Sequence, residues 1–251
     1  MRQPFWACSA TLEREMSART LIGNVVRNML GKKLYTRLRV GLQAEHTYLW
    51  ETHGIIHIGA NAGQERELYA AFGLSVMWIE PIPEVFEALR LNISVFPKQR
   101  AYKYLVADDD GREYQLHIAD NDGASSSIFG LAKHTEMYPQ IAYKGAITVR
   151  SMTLSSILAS EQLDIRSFDA MVLDTQGSEL KILKGAVNLL SHFKFVKVEV
   201  PDFESYKDCC QIDELSGFMS SNGFRERSRH PIIHTPSIGT YFEVVYERIR
   251  R

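Results

Sequence analysis

Cysteine is scarce in this chain: among 251 residues there are Cys8, Cys209 and Cys210, two of them adjacent. That number and spacing build neither a disulfide framework nor a zinc site, which points to a reducing, cytoplasmic setting. Long apolar runs are absent too, and residues 1–10 are too short and interrupted for a secretion signal, so a soluble protein is expected. Net charge is nearly missing, with 29 Lys and Arg against 30 Asp and Glu, a formal balance of −1. Without an overall field to draw in nucleic acid or an anionic membrane, neither is an expected partner. The charge is unevenly spread: residues 1–50 hold 8 basic against 3 acidic side chains, +5, which leaves −6 to the remainder. A solvated basic helical face accounts for this, and a lid over an anionic substrate or a helix lying on a membrane surface are the alternatives.

What the chain does have is His57-Ile58-Gly59-Ala60-Asn61-Ala62-Gly63, closing the apolar pair Ile55-Ile56. Gly59 and Gly63 suit a strand that turns sharply into a helix, where a ligand lies against backbone N–H groups. A second strand over residues 74–79 brings Glu80 to its carboxyl end, about 20 residues on, where a carboxylate can accept both hydrogen bonds of a ribose diol. The loop lacks the Gly-Lys-Ser/Thr ending that cradles a triphosphate. It also lacks the second and third glycines that let backbone approach a dinucleotide's pyrophosphate. A nucleoside triphosphatase is therefore disfavoured, and so is a nicotinamide-dependent oxidoreductase. An adenosine cofactor without phosphate, S-adenosylmethionine, fits better, with Asn61 available to its amino acid end.

Strand and helix patterns alternate from Ile55 onward. Val85, Leu89 and Ile93 repeat every four residues between Pro83 and Pro97, which predicts a helix. A third strand spans residues 101–107 and ends in Asp108-Asp109-Asp110-Gly111. Strands at 113–118 and 146–152, with a polar loop at 120–127, form an insertion of the kind that shapes a substrate mouth. Ala170-Met171-Val172-Leu173 reads as a strand buried on both faces, and Leu180, Leu183, Val187 and Leu190 as the core stripe of the following helix. Phe195 to Val198 forms a fifth strand ahead of Glu199, and a helix around Leu215, Phe218 and Met219 stops at Asn222-Gly223. Residues 224–229 and 240–248 close the chain as an antiparallel pair flanking a loop with Pro231 and Pro236. The expected architecture is α/β and Rossmann-like: a seven-stranded, mostly parallel sheet with an antiparallel terminal strand and helices on both faces. Residues 1–50 form a helical extension and residues 51–251 one methyltransferase domain.

Six segments in order carry a resemblance. His57 to Gly63; Ile79-Glu80-Pro81-Ile82-Pro83 with Leu89 and Asn92-Ile93; Ala107-Asp108 with Gly111; Ser125-Ser126-Ser127-Ile128; Leu173-Asp174-Thr175-Gln176-Gly177-Ser178-Glu179 with Leu183-Lys184-Gly185-Ala186; and Val198-Glu199-Val200 together resemble the FkbM family of methyltransferases. The resemblance covers roughly residues 50 to 225. It implies transfer of a methyl group from S-adenosylmethionine to a hydroxyl oxygen of a sugar or a natural product. Two positions depart from the family pattern. His57 stands where the family usually has Asp, so a neutral imidazole offers the cofactor's ammonium no fixed negative charge and affinity leans on Glu80 and Asp174. Thr175 replaces a β-branched apolar residue, a change expected to tune local contacts and leave activity in place.

The cofactor site is accordingly expected from His57, Gly59, Ala60, Asn61, Gly63, Glu80, Pro81, Ser126 and Asp174, with Asp108 toward adenine. The sulfonium is already activated, so most acceleration comes from holding the acceptor oxygen about 3 Å from the methyl carbon. A hydroxyl must still lose a proton. Asp174 and Glu199 are the best-placed carboxylates, His230 is a weaker base candidate and His134 weaker still. A divalent cation held by Asp174, Glu179 and Glu199 is the less favoured alternative, because Glu179 reads as a carboxylate on the first turn of a helix. A methyltransferase-fold scaffold without catalysis is the rival reading. Substrate-facing surface is expected from the insertion, from the loop between Arg229 and Thr240, and from the first 50 residues.

Overall fold

The computed structural model describes residues 31–249. Cys8 and most of the basic segment therefore lie outside the described residues. The core strands are β1 (Gly54–Ile58), β2 (Ser75–Ile79), β3 (Gln99–Tyr102), β7 (Ala170–Leu173) and β8 (Phe195–Pro201), all mutually parallel. With β9 (Phe224–Thr235) and β10 (Gly239–Arg248) they make one sheet in the order β3-β2-β1-β7-β8-β10-β9. β10 pairs antiparallel with both neighbours and is the single reversed strand of the seven. The sheet order reverses between β1 and β7, and the carboxyl ends of strands flanking such a switch point form a crevice.

Side chains alternate across the sheet with the period of a strand. Ile56, Ile58, Met77, Ile79, Met171, Leu173, Val196 and Val198 pack on one face, against α5 (Leu154–Ser160), α6 (Glu179–Gly185) and α7 (Ile212–Ser221). Ile55, Val76, Trp78, Ala170, Val172 and Phe195 pack on the other, against α2 (Arg66–Phe72) and α3 (Pro83–Ile93). Tyr48 and Leu49, from a short 3-10 helix that follows α1 (Lys32–Gly41), join this second core and are almost fully buried.

Three expectations are corrected. The strand anticipated over 101–107 is split: β3 ends at Tyr102, and β4 (Leu105–Val106) leaves the main sheet to pair parallel with β6 (Tyr143–Met152), itself antiparallel to β5 (Glu113–Ala119). Val187 is half exposed and not core, because α6 stops at Gly185, where a side chain would meet the Ala107 carbonyl at 2.4 Å. The anticipated loop around Pro231 is strand: β9 runs on to Thr235 with register shifts against β10 that absorb the proline on an edge.

Candidate functional site

Gly59, Glu80 and Asp174 follow the parallel strands β1, β2 and β7 at the carboxyl edge of the sheet, and Glu199 lies inside β8, which runs past the expected end at Val198 to Pro201 because β10 pairs with it that far. A cavity of about 260 Å³ opens there, lined by His57, Gly59, Ala60, Asn61, Glu80, Pro81, Ser126 and Asp174 among others. Gly59 has φ +80°, and a Cβ there would meet the Asp174 carbonyl oxygen at 1.8 Å, so the β1 turn and the end of β7 touch backbone to backbone. Gly63 packs against Leu89 and does not line the cavity.

The N–H groups of the turn are already engaged. Gly59 N and Ala60 N donate to the Ile79 carbonyl at 3.0 and 3.1 Å, Asn61 N donates to Glu80 Oε2 at 2.9 Å, and Ala62 N donates to Asn61 Oδ1 at 2.7 Å. The open N–H cradle expected from the sequence is absent from this turn, and with it the means of gripping a phosphate. Glu80, 4% exposed, takes Ile82 N at 2.9 Å on its other oxygen. Burial lifts its carboxyl to about 7, against the two backbone N–H bonds that pull it down. Each oxygen keeps a second lone-pair direction for a ligand hydroxyl.

His57 sits in an aromatic wall. Its ring stacks on Trp78 at 4.8 Å, Nδ1 lies 3.2 Å from the Tyr69 hydroxyl, and burial pushes the imidazole down to about 4. It is therefore neutral at pH 7. The imidazole brings no charge to the first cavity, whose acidic lining residues are Glu65, Glu80 and Asp174.

A second cavity of about 270 Å³ adjoins the first, and Ala124, Asp174 and Gln176 line both. Its other walls include Asn121, Ser125, His134, Tyr138, Glu199 and Tyr241. Gln176, held at φ +56°, donates from Nε2 to Asp174 Oδ1 at 2.6 Å and accepts the Tyr206 hydroxyl at 2.7 Å. Sequence reasoning missed Gln176, Tyr206 and Tyr241 as site residues. The signal for Gln176 was its place two residues beyond Asp174 in a turn, whereas nothing local marked the two tyrosines. Burial first holds both Asp174 and Glu199 above the usual carboxylate range; at Asp174 the Gln176 hydrogen bond pulls the other way and Glu179 and Glu65 add to the rise, and at Glu199 the repulsion of Asp174, Glu179 and Glu243 adds to it. His134, on the short helix α4 (His134–Met137), is 2% exposed, its Nδ1 has no hydrogen-bond partner, and burial lowers its pKa to about 4.

Two predicted residues stand apart. Asp108 forms an ion pair with Lys181 at 3.0 Å and lines neither cavity; His230 is exposed on edge strand β9 opposite Glu243 and also lines neither. Glu179 is spent on structure: Oε1 accepts Thr175 N at 2.9 Å, Thr175 Oγ1 at 3.0 Å and Gly177 N at 3.1 Å, fastening the turn that presents Asp174. Among the described residues no cluster of His, Cys, Asp and Glu has a metal-holding arrangement. Glu179→Ala is expected to cost about 2–4 kcal/mol in a denaturant titration, since three part-buried donors lose their buried acceptor. An unchanged midpoint would show that water replaces it freely.

The family described as the methyltransferase FkbM domain matches residues 57–226, most of the chain, all of the first cavity's lining and all of the second's named lining except Tyr241. The chain belongs to the FkbM methyltransferase family. A curated relative, the 2-O-methyltransferase NoeI of Sinorhizobium fredii (strain NBRC 101917 / NGR234), is 26% identical over 161 residues, which are 61% of this chain and 65% of that protein's length. Among solved structures, a Burkholderia thailandensis 1,6-didemethyltoxoflavin-N1-methyltransferase with bound S-adenosylhomocysteine matches at 10% identity and TM-score 0.45, covering 100% of this chain and 94% of that one. The METTL16 methyltransferase domain matches at 11% identity and TM-score 0.48, covering 88% and 68%.

Proposed function

We propose that this family member is an S-adenosylmethionine-dependent O-methyltransferase acting on a hydroxyl of a saccharide or secondary metabolite in a reducing cytoplasm. The observation that carries the reading is the double cavity with Asp174 in the wall between its halves. The first half would hold the donor, with Glu80 on the ribose diol and Asn61 and Asp174 toward the amino acid end. When bound, the donor supplies a methyl group on an activated sulfonium. The second half would hold the acceptor, with Asp174 and Glu199 positioned to orient its hydroxyl and take its proton. The name of the curated relative, a 2-O-methyltransferase, supports an oxygen acceptor. A nucleic-acid acceptor is disfavoured because no Lys or Arg among the described residues lines either half. No helix among the described residues is long and apolar enough to cross a membrane.

Calorimetry with S-adenosylmethionine, S-adenosylhomocysteine and NAD tests this. The first two are expected to bind with micromolar affinity and NAD to be silent, because the N–H groups of the turn that would meet a pyrophosphate are already bonded. Binding of NAD alone would overturn the reading in favour of an oxidoreductase, and silence with all three would favour a scaffold. Methyl transfer from labelled donor to a panel of glycans then identifies the acceptor.

A further inference from the structure

Asp174 directly follows β7 and Glu199 lies near the carboxyl end of the adjacent parallel β8, each one residue beyond the paired Leu173 and Val198, and both line the second cavity. Gln176 fixes Asp174, whereas Glu199 accepts no hydrogen bond and joins no ion pair among the described residues. The cation that acts on both, Lys197, is already paired with Glu243 at 2.8 Å. The cavities thus confront two neighbouring carboxyls with no free countercharge.

Resting on the methyltransferase reading above, we propose that Asp174 and Glu199 form one proton-sharing site. It holds a proton while the cavities are empty, releases it when the positively charged donor is seated, and then takes the proton of the acceptor hydroxyl.

Two carboxylates in a poorly solvated site cannot both ionise cheaply, and their protons belong to the pair. The groups facing them add little relief. Glu179 on α6, Glu65 at the start of α2 and Glu243 on β10 oppose ionisation, Lys197 is neutralised, and His134, Tyr138, Tyr206 and Tyr241 are uncharged at pH 7. Burial holds both carboxyls above the usual carboxylate range, so a positive charge seated beside them favours expulsion of the shared proton. As the O–CH₃ bond forms and the S–CH₃ bond breaks, with its electrons left on sulfur, the pair receives the hydroxyl proton. The positive charge disappears in the same step, so the pair's proton affinity recovers as the proton arrives, and the proton passes to solvent when the next donor binds. The products are an ether, a neutral thioether and one proton.

S-adenosylmethionine and S-adenosylhomocysteine share every group except the methyl and its charge, so calorimetry of both in phosphate and in Tris isolates the effect. A proton shed by Glu80 on meeting the ribose would appear equally with both ligands. The expected result is about half to one proton more released by S-adenosylmethionine near pH 7, and an affinity ratio between the two that rises several-fold from about pH 6 to pH 8. The sign follows from the raised pKa values: at the lower pH the pair is protonated and the cation must displace the proton, at the higher pH it need not. In Glu199→Gln the pH at which the affinity ratio rises should move down, since burial still holds Asp174 up but its neighbour no longer opposes it. In a variant carrying both Asp174→Asn and Glu199→Gln the excess release should vanish, since neither carboxyl is left to hold the proton. Equal release with both ligands, a pH-independent ratio, an unmoved midpoint in a folded Glu199→Gln, or an excess surviving in the folded double variant overturns the inference and leaves the methyltransferase reading standing. Failure of both ligands to bind wild-type protein overturns both. Should the variants not fold, the wild-type affinity ratio against pH decides alone.

Discussion

Replacing Glu80 with alanine is expected to weaken S-adenosylmethionine binding at least about 100-fold, whereas Asp174→Asn should weaken it less than about tenfold and lower turnover about 10²–10⁴-fold. The asymmetry follows from what each carboxyl touches. Glu80 is buried, and the backbone donors Asn61 N and Ile82 N fix its two oxygens in orientation. A diol placed against it meets an acceptor already oriented, and a hydrogen bond to a charged group contributes about 1.5–3 kcal/mol. Losing two such bonds accounts for the 100-fold figure, and releasing Asn61 N from its anchor adds to it. Asp174 lies between the cavities, and asparagine keeps its size and one acceptor oxygen while removing its capacity to take a proton. Calorimetry of both variants, with circular dichroism to confirm folding, gives the comparison. Equal affinities for the two would place the nucleoside elsewhere.

The donor half was legible in the sequence because its parts are local. The glycine turn, Glu80 and Asp174 each end a strand whose apolar run announces it, and parallel pairing of β1 with β2 and β7 brings those ends together. The acceptor half was not legible. Asn121 and His134 come from the insertion, Gln176 from a left-handed turn and Tyr241 from β10, and no spacing links residues that only the fold unites. Asp108 looked like a ligand because it follows an apolar run, but Lys181 on α6, distant in sequence, claims it. Tyr69 and Trp78 explain His57 in the same way. Each carries an apolar ring and a polar atom, and pattern alone reads such residues as core without showing that they enclose an imidazole.

The pairwise bonds within the glycine turn bear on the choice of cofactor. A dinucleotide site needs backbone N–H groups free to meet a pyrophosphate, and here four consecutive N–H groups are bonded within the protein. What the cavity presents is the carboxyls of Glu65, Glu80 and Asp174, the amides of Asn61, Gln64 and Gln176, and aliphatic and aromatic surface. That lining suits a ligand that brings hydroxyl and ammonium donors and a positive sulfur, and it repels phosphate.

Gly59→Ala is expected to destabilise the protein by about 3–5 kcal/mol, a fall of roughly 10 °C or more in melting temperature, and to abolish donor binding. A left-handed φ alone is not the reason. Gly73 has φ +75°, close to the +80° of Gly59, yet a Cβ at Gly73 meets nothing within 4 Å, whereas at Gly59 it would lie 1.8 Å from the Asp174 carbonyl oxygen and 2.6 Å from the carbonyl carbon. Gly73→Ala therefore carries only the conformational penalty, about 1–2 kcal/mol, and should leave binding unchanged. At Gly59 the obstruction is backbone and cannot rotate away. The β1 turn must withdraw from β7, and it would carry Asn61 from Glu80 and open the wall that Asp174 forms between the two cavities. Thermal denaturation and donor titration of the two variants separate these contributions. Matching losses would mean that the turn's conformation alone sets its stability, and the close approach of the two strand ends would no longer explain how the donor and acceptor halves are held together.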